Sequence, residues 1–188
     1  GAKLEGFDVM VKISDAKYMV LEGDEYLSSP MDLRPKFHLY KPNIAIINGI
    51  AWDHINVFPT FDIYVEQFKI FADKIEENGS LVYFQDDENI TKIANNARAD
   101  IKKFPYKELS EDLAKQYPLK IFGKHNLINL SAAMIALEQI GIKNEDFLKA
   151  IQSFKGASKR LELIAETPTQ AFYTDFAHSP SKLKATVE

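Results

Sequence analysis

Residues 43–54, NIAIINGIAWDH, read as a buried strand that runs into chemistry. Residues 43–50 (NIAIINGI) form the apolar strand, entered through Lys41 and Pro42. An unbroken run of this kind marks a strand covered on both faces. It gives way to Ala51, Trp52, Asp53 and His54. Next, over residues 60–77, Phe61, Tyr64, Val65, Phe68, Phe71, Ala72 and Ile75 recur at spacings of three and four. That period predicts an amphipathic helix, stopped by Asn78 and Gly79. Residues 81–84 (LVYF) form the next strand. Strands alternating with helices indicate an α/β protein, a mostly parallel sheet flanked by helices. In such sheets ligands sit at the carboxyl ends of the strands.

Outward from this unit, residues 18–21 (YMVL) read as another strand, closed by Glu22, Gly23, Asp24 and Glu25. The polar stretch 85–120 predicts short strands and turns, with a strand near 101–106. Gly123, Lys124 and His125 lead into an apolar helix over 126–140, closed by Gly141. A shorter helix spans 145–153. Residues 161–165 and 171–175 read as strands, and Ser179-Pro180 as a helix start. Trp52 and the phenylalanines are most simply core residues.

The composition frames what this protein can do. The 188 residues carry 23 basic and 27 acidic side chains, for a net charge of −4. That balance excludes a broad basic surface for nucleic acid. The absence of cysteine excludes disulfides, thiolate metal sites and cysteine nucleophiles. No stretch approaches the ~18 apolar residues of a membrane span. A soluble, intracellular protein is the expectation.

Several residues are candidates for chemistry, each with a plainer reading beside it. Glu22, Asp24 and Glu25 crowd carboxylates after a predicted strand. A hard divalent ion such as Mg²⁺ takes such oxygens, and a solvated acidic turn is the alternative. His54 is a possible metal ligand or base, or a structural histidine. Glu22 and His54 would share a site if both end strands of one sheet. Asn126 and Asn129 share a helix face and could read a purine edge, although helix capping is the simpler use of asparagine. Arg160 offers a fork for phosphate or a surface ion pair. Asp175 and His178 lie between a strand and Pro180, where Asp175 could accept hydrogen bonds from a ribose or serve a turn. Neither G-x-x-x-x-G-K-[ST] nor G-x-G-x-x-G occurs.

The segments VLEGDEY, INGIAWDH, GKHNLINLSAA, FKGASKRLEL and YTDFAHSP, in this order, resemble the Mur ligase family. The resemblance covers nearly the whole chain, most loosely at 85–118. It implies an ATP-dependent amide-bond-forming ligase of cytoplasmic peptidoglycan synthesis. Such enzymes have a UDP-sugar domain, a central ATPase domain and a C-terminal Rossmann-like domain. Residues 22–58 look like the branch that joins UDP-N-acetylmuramate to a recycled murein tripeptide. A fragment of the alanine-adding branch and a non-catalytic α/β binding module are the alternatives. The resemblance implies a piece that begins after the family's phosphate loop and lacks the UDP-sugar domain. Residues 1–164 would be an incomplete ATP-binding domain, and residues 165–188 the beginning of the C-terminal ligase domain.

Residue by residue, the resemblance implies that Glu22 and His54 hold Mg²⁺ and that Asn126 and Asn129 contact adenine. Arg160 would reach ribose or phosphate, and Asp175 would bind ribose. Arg160 and His178 are implied catalytic positions. Asp24 and Glu25 fit the pattern without a firm role. Phe68 stands where other members carry a carbamylated lysine, as in the alanine-adding and tripeptide-adding branches. ATP would phosphorylate the muramate carboxylate, and the incoming amine would attack the acyl phosphate. UDP-N-acetylmuramate and the murein tripeptide are the implied partners, with no nucleic acid and no membrane.

Overall fold

Alternation of side chains across a short parallel sheet decides where the helices go. The structure, a computed structural model, describes residues 11–121, 123–177 and 180–187, leaving aside the side chains of Ser181 and Ala185. Strands β1 (Ile44–Ile47), β2 (Ser80–Phe84) and β3 (Lys102–Tyr106) lie side by side in that order, all parallel. The register sets Ala45 opposite Leu81 and Val82 opposite Phe104. Helix α1 (Phe61–Asp73) connects β1 to β2, and α2 (Glu88–Asn96) connects β2 to β3. These are the helical crossovers that parallel pairing requires.

Ala45, Ile47, Leu81 and Tyr83 pack on one face with Tyr64, Phe71 and Ala72 of α1 and Ile90, Ile93 and Ala94 of α2. Val82, Phe104 and Tyr106 point the other way and meet Ile128, Ala132 and Ile135 of α4 (Lys124–Glu138). The sheet is thus sandwiched between helices; its edge strand β3 leaves Lys102, Lys103 and Pro105 exposed. Helix α5 (Asn144–Ile151) adds Phe147 and Leu148 to a satellite cluster with Leu130, beneath the short α3 (Glu111–Lys115).

Local chemistry sets the helix starts. The Thr60 hydroxyl accepts the Ile63 N–H at 3.3 Å, and Asp87 accepts the N–H groups of Asn89 and Ile90 at 2.8 and 3.1 Å. Entry into β2 needs glycine. A Cβ on Gly79 would lie 2.8 Å from both Asn43 O and Glu76 O.

Three expectations change. Residues 18–21 form no strand, and Val20 is 94% exposed. The link from there to β1 holds one 3₁₀ turn (Lys36–Leu39) and no crossover helix, so nothing lays the run along the sheet. The polar stretch 85–120 contains α2 and α3. Helix α2 is short, but its Asp87 cap and its apolar positions at 90, 93 and 94 suffice. The strands expected at 161–165 and 171–175 form as β4 (Glu162–Glu166) and β5 (Ala171–Thr174), which pair antiparallel with each other in a separate two-stranded sheet. Trp52 is 41% exposed; its indole donates to Phe58 O at 3.0 Å. The expected boundary at 164 falls within β4. Helix α6 (Pro180–Val187) follows. Among the described residues no helix is long and apolar enough to cross a membrane.

Candidate functional site

The turn after β1 builds the site. His54 adopts a left-handed backbone (φ 54°), uncommon for a residue with a Cβ. The turn that holds it is over-determined. Asp53 Oδ1 accepts the His54 N–H at 2.8 Å, and His54 O accepts the N–H groups of Val57 and Phe58 at 2.8 and 2.9 Å. Upstream, Ile50 donates its N–H to Asp87 Oδ2 at 3.1 Å, tying the turn to the start of α2. Strain held in place this way is typical of functional positions.

The imidazole faces a carboxylate from the acidic segment. His54 Nε2 lies 3.3 Å from Glu25 Oε1, which also accepts from the Tyr64 hydroxyl at 3.4 Å. The Tyr26 ring packs 4.8 Å from the imidazole ring. Burial, with the Glu25 and Asp53 charges close by, pushes the Tyr64 hydroxyl up, so it stays a neutral donor. One donor atom each from Glu25, Asp53 and His54 fall within 4.8 Å of one another. Two hard oxygens and an imidazole nitrogen, partly buried, fit a small divalent cation.

Asp53 has a further partner. Its Oδ2 accepts from Lys182 Nζ of α6 at 2.9 Å. Burial pushes the Asp53 carboxyl up, but the Lys182 ammonium and the His54 N–H outweigh it and hold the group below the usual carboxylate range. Asp24 behaves alike. Burial raises it, while Lys36 and the Tyr26 N–H, at 2.5 and 2.8 Å, bring it lower. Asp24 is committed to that local structure. Glu22 is exposed and lies outside the three-donor cluster, because the strand expected to aim it does not form. The carboxylate brought to His54 is that of Glu25.

The other predicted residues fall into two groups. Helix α4 starts from Gly123 (φ 89°), without a side-chain cap, so Asn126, in the first turn, does not cap it. Asn129 Oδ1 accepts from Asn48 Nδ2 at 2.9 Å, which places it at the carboxyl end of β1. Arg160 is exposed and flanked by two left-handed residues, Lys159 (φ 58°) and Leu161 (φ 47°). Glu162 Oε2 accepts the Lys159 N–H at 2.7 Å, and Asp175 Oδ2 accepts the Leu161 N–H at 2.8 Å. Asp175 Oδ1 takes the Ala177 N–H at 2.7 Å. Asp175 therefore locks the strained turn that presents Arg160. His178 lies outside the described residues. Phe68 packs against Phe37 and Tyr64, ring centres 5.4 and 5.2 Å away.

Sequence reasoning missed Glu25 as the partner of His54, Asp53 as a donor, and Asn48 and Lys182. Glu25 sits in the same acidic segment as Glu22, and only the path of the loop separates the two. Lys182 has no local signal; it lies 129 residues from Asp53.

The fold and site define an α/β domain with a cation-type donor cluster at the carboxyl end of a parallel strand. The Mur ligase middle domain profile matches residues 7–137, and the chain belongs to the Mur ligase family. A UDP-N-acetylmuramate–L-alanine ligase of Caldicellulosiruptor bescii is 30% identical, over 93% of this chain and 42% of that protein. A UDP-N-acetylmuramate–L-alanyl-γ-D-glutamyl-meso-2,6-diaminoheptandioate ligase of Haemophilus influenzae is 27% identical, over 96% of this chain and 44% of its own length. The chain thus spans less than half of these relatives. A murein peptide ligase of Psychrobacter arcticus superposes with a TM-score of 0.64 at 23% identity, covering 88% of this chain and 38% of that one, which shows the shared fold.

Proposed function

We propose that this chain is the cation- and nucleotide-handling portion of a cytoplasmic, ATP-dependent ligase that joins UDP-N-acetylmuramate to a murein tripeptide in peptidoglycan recycling. The observation that carries the reading is the convergence of Glu25, Asp53 and His54 at the carboxyl end of β1, in a chain of the Mur ligase family. Mg²⁺ held there would neutralise charge on the phosphoryl group leaving ATP. Glu25, Asp53 and His54 would be its ligands, with Glu22, the carboxylate that the family resemblance implies, as the alternative to Glu25. Asn126 and Asn129, from the start of α4, would meet the adenine. Arg160 would reach phosphate or ribose, and Asp175 the ribose. Residues 1–164 would belong to the ATP-binding domain and residues 165–188 to the next. With neither glycine phosphate loop among these 188 residues, the chain by itself is expected to bind ATP weakly and to leave the amide unformed.

A second reading, the alanine-adding ligase, is favoured by the 30% identity to the Caldicellulosiruptor enzyme. Phosphate release by the full-length gene product, given Mg-ATP and UDP-N-acetylmuramate, separates the two. Release that depends on the tripeptide supports recycling, and release with L-alanine alone selects the second reading. No release with either amine would leave a binding module. Manganese binding by Glu22→Gln and Glu25→Gln variants tells which carboxylate serves the ion.

A further inference from the structure

Asp53 is claimed twice. Its Oδ1 accepts the neighbouring His54 N–H at 2.8 Å, and its Oδ2 accepts from Lys182 at 2.9 Å. The first bond is part of the turn that shapes the site. The second comes from an eight-residue helix near the other end of the chain. A Mg²⁺ ion bound by Asp53 would sit about 2.0–2.1 Å from one of these oxygens. An ammonium left on the same carboxylate would face that ion at close range, and like charges so placed repel. Glu25 and His54, 3.3 Å apart, are the other two donors of the cluster.

We propose that Lys182 is a built-in competitor for the cation site, so that metal binding at Asp53 and docking of α6 oppose each other. The inference rests on the reading of Glu25, Asp53 and His54 as a cation site. Lys182 acts here as a positioning residue: it holds α6 against the Asp53–His54 turn and gives up Asp53 when the ion arrives. Linkage makes the effect reciprocal. Whatever affinity the ion loses to Lys182, α6 loses in docking when the ion binds. The pair is partly exposed, with side chains 36% and 20% accessible. A pair of this exposure sets the coupling at about two- to fivefold.

The test is direct titration of this chain with Mn²⁺, followed by quenching of Trp52. Trp52 is the sole tryptophan and lies one residue from Asp53. Lys182→Met should bind Mn²⁺ about two- to fivefold more tightly than wild type, while Lys182→Arg, which keeps the pair, should stay near wild type. Saturating Mn²⁺ should speed amide exchange in α6 of the wild type and leave α6 of Lys182→Met unchanged. Equal affinities for wild type and Lys182→Met would overturn the competition and leave the cation site standing. Absence of Mn²⁺ binding in both, or binding untouched by Glu25→Gln, would overturn the cation-site reading and the competition with it.

Discussion

Replacing Asp87 tests how the β1 turn is tied to the framework. Its Oδ1 accepts the N–H groups of Asn89 and Ile90 at the first turn of α2, and its Oδ2 accepts the Ile50 N–H. Asp87→Ala removes a helix cap, which costs about 1 kcal/mol. It also strands the N–H of Ile50, a residue only 7% exposed, at about 1–3 kcal/mol. The expected loss is about 2–4 kcal/mol, or roughly 4–16 °C in Tm for a chain of this size. Asp87→Asn separates the two contributions. Its side-chain oxygen still caps α2, while its amide group meets the Ile50 N–H donor to donor, so about 1–3 kcal/mol should be lost. Urea unfolding followed by circular dichroism measures both variants, and Trp52 emission reports the loosened turn. An Asp87→Ala chain within about 0.5 kcal/mol of wild type, the scale of an ordinary surface change, would refute the reasoning. Equal losses in the two variants would show that the cap contributes nothing.

Gly79→Ala should cost about 3 kcal/mol, the upper range for overpacking, because the added Cβ meets two backbone oxygens at 2.8 Å and Ile75 Cγ2 at 2.6 Å; a Tm shift under 2 °C would contradict this. Asp100 gives a pH signature. The Arg98 guanidinium beside it holds its folded-state carboxyl at about 2, against 3.8 for the free group. A depressed carboxyl stabilises the fold above pH 3.8 and loses that contribution as the pH falls towards 2. Wild type should therefore lose more stability than Asp100→Asn between pH 4 and pH 2, and parallel acid titrations would count against it. Asp175→Ala should release the left-handed Leu161, with amide exchange at Leu161 and Ala177 rising about fivefold, as expected for the loss of one partly buried hydrogen bond. Unchanged exchange there would mean the turn is held by other groups.

Much of this protein was legible in one dimension. The apolar run at 43–50, the three-and-four spacing of Phe61 to Ile75 and the run at 81–84 are local patterns. Backbone hydrogen bonding and burial turn such patterns into strand, helix and strand with little help from the rest of the chain. The same holds for α4, β4 and β5. Residues 18–21 show where local pattern fails: an apolar run becomes a strand only when a neighbour supplies the ladder, and none does so among the described residues. Helix α2 was hidden for the opposite reason. Its nine residues are mostly polar, and three buried side chains packed on β2 and α1 hold it.

The site divides along the same line. Sequence alone determined that acidic residues and an Asp–His pair follow apolar runs, because residue types and their order are local facts. Which carboxylate meets His54 depended on the path of the 22–43 loop, and that choice fell on Glu25. The pairing of Asn48 with Asn129 required α4 to cross the carboxyl end of β1, 81 residues later. The grip of Lys182 on Asp53 required the chain to return after the β4–β5 hairpin. Charges find partners by distance in space, and only the folded chain sets those distances.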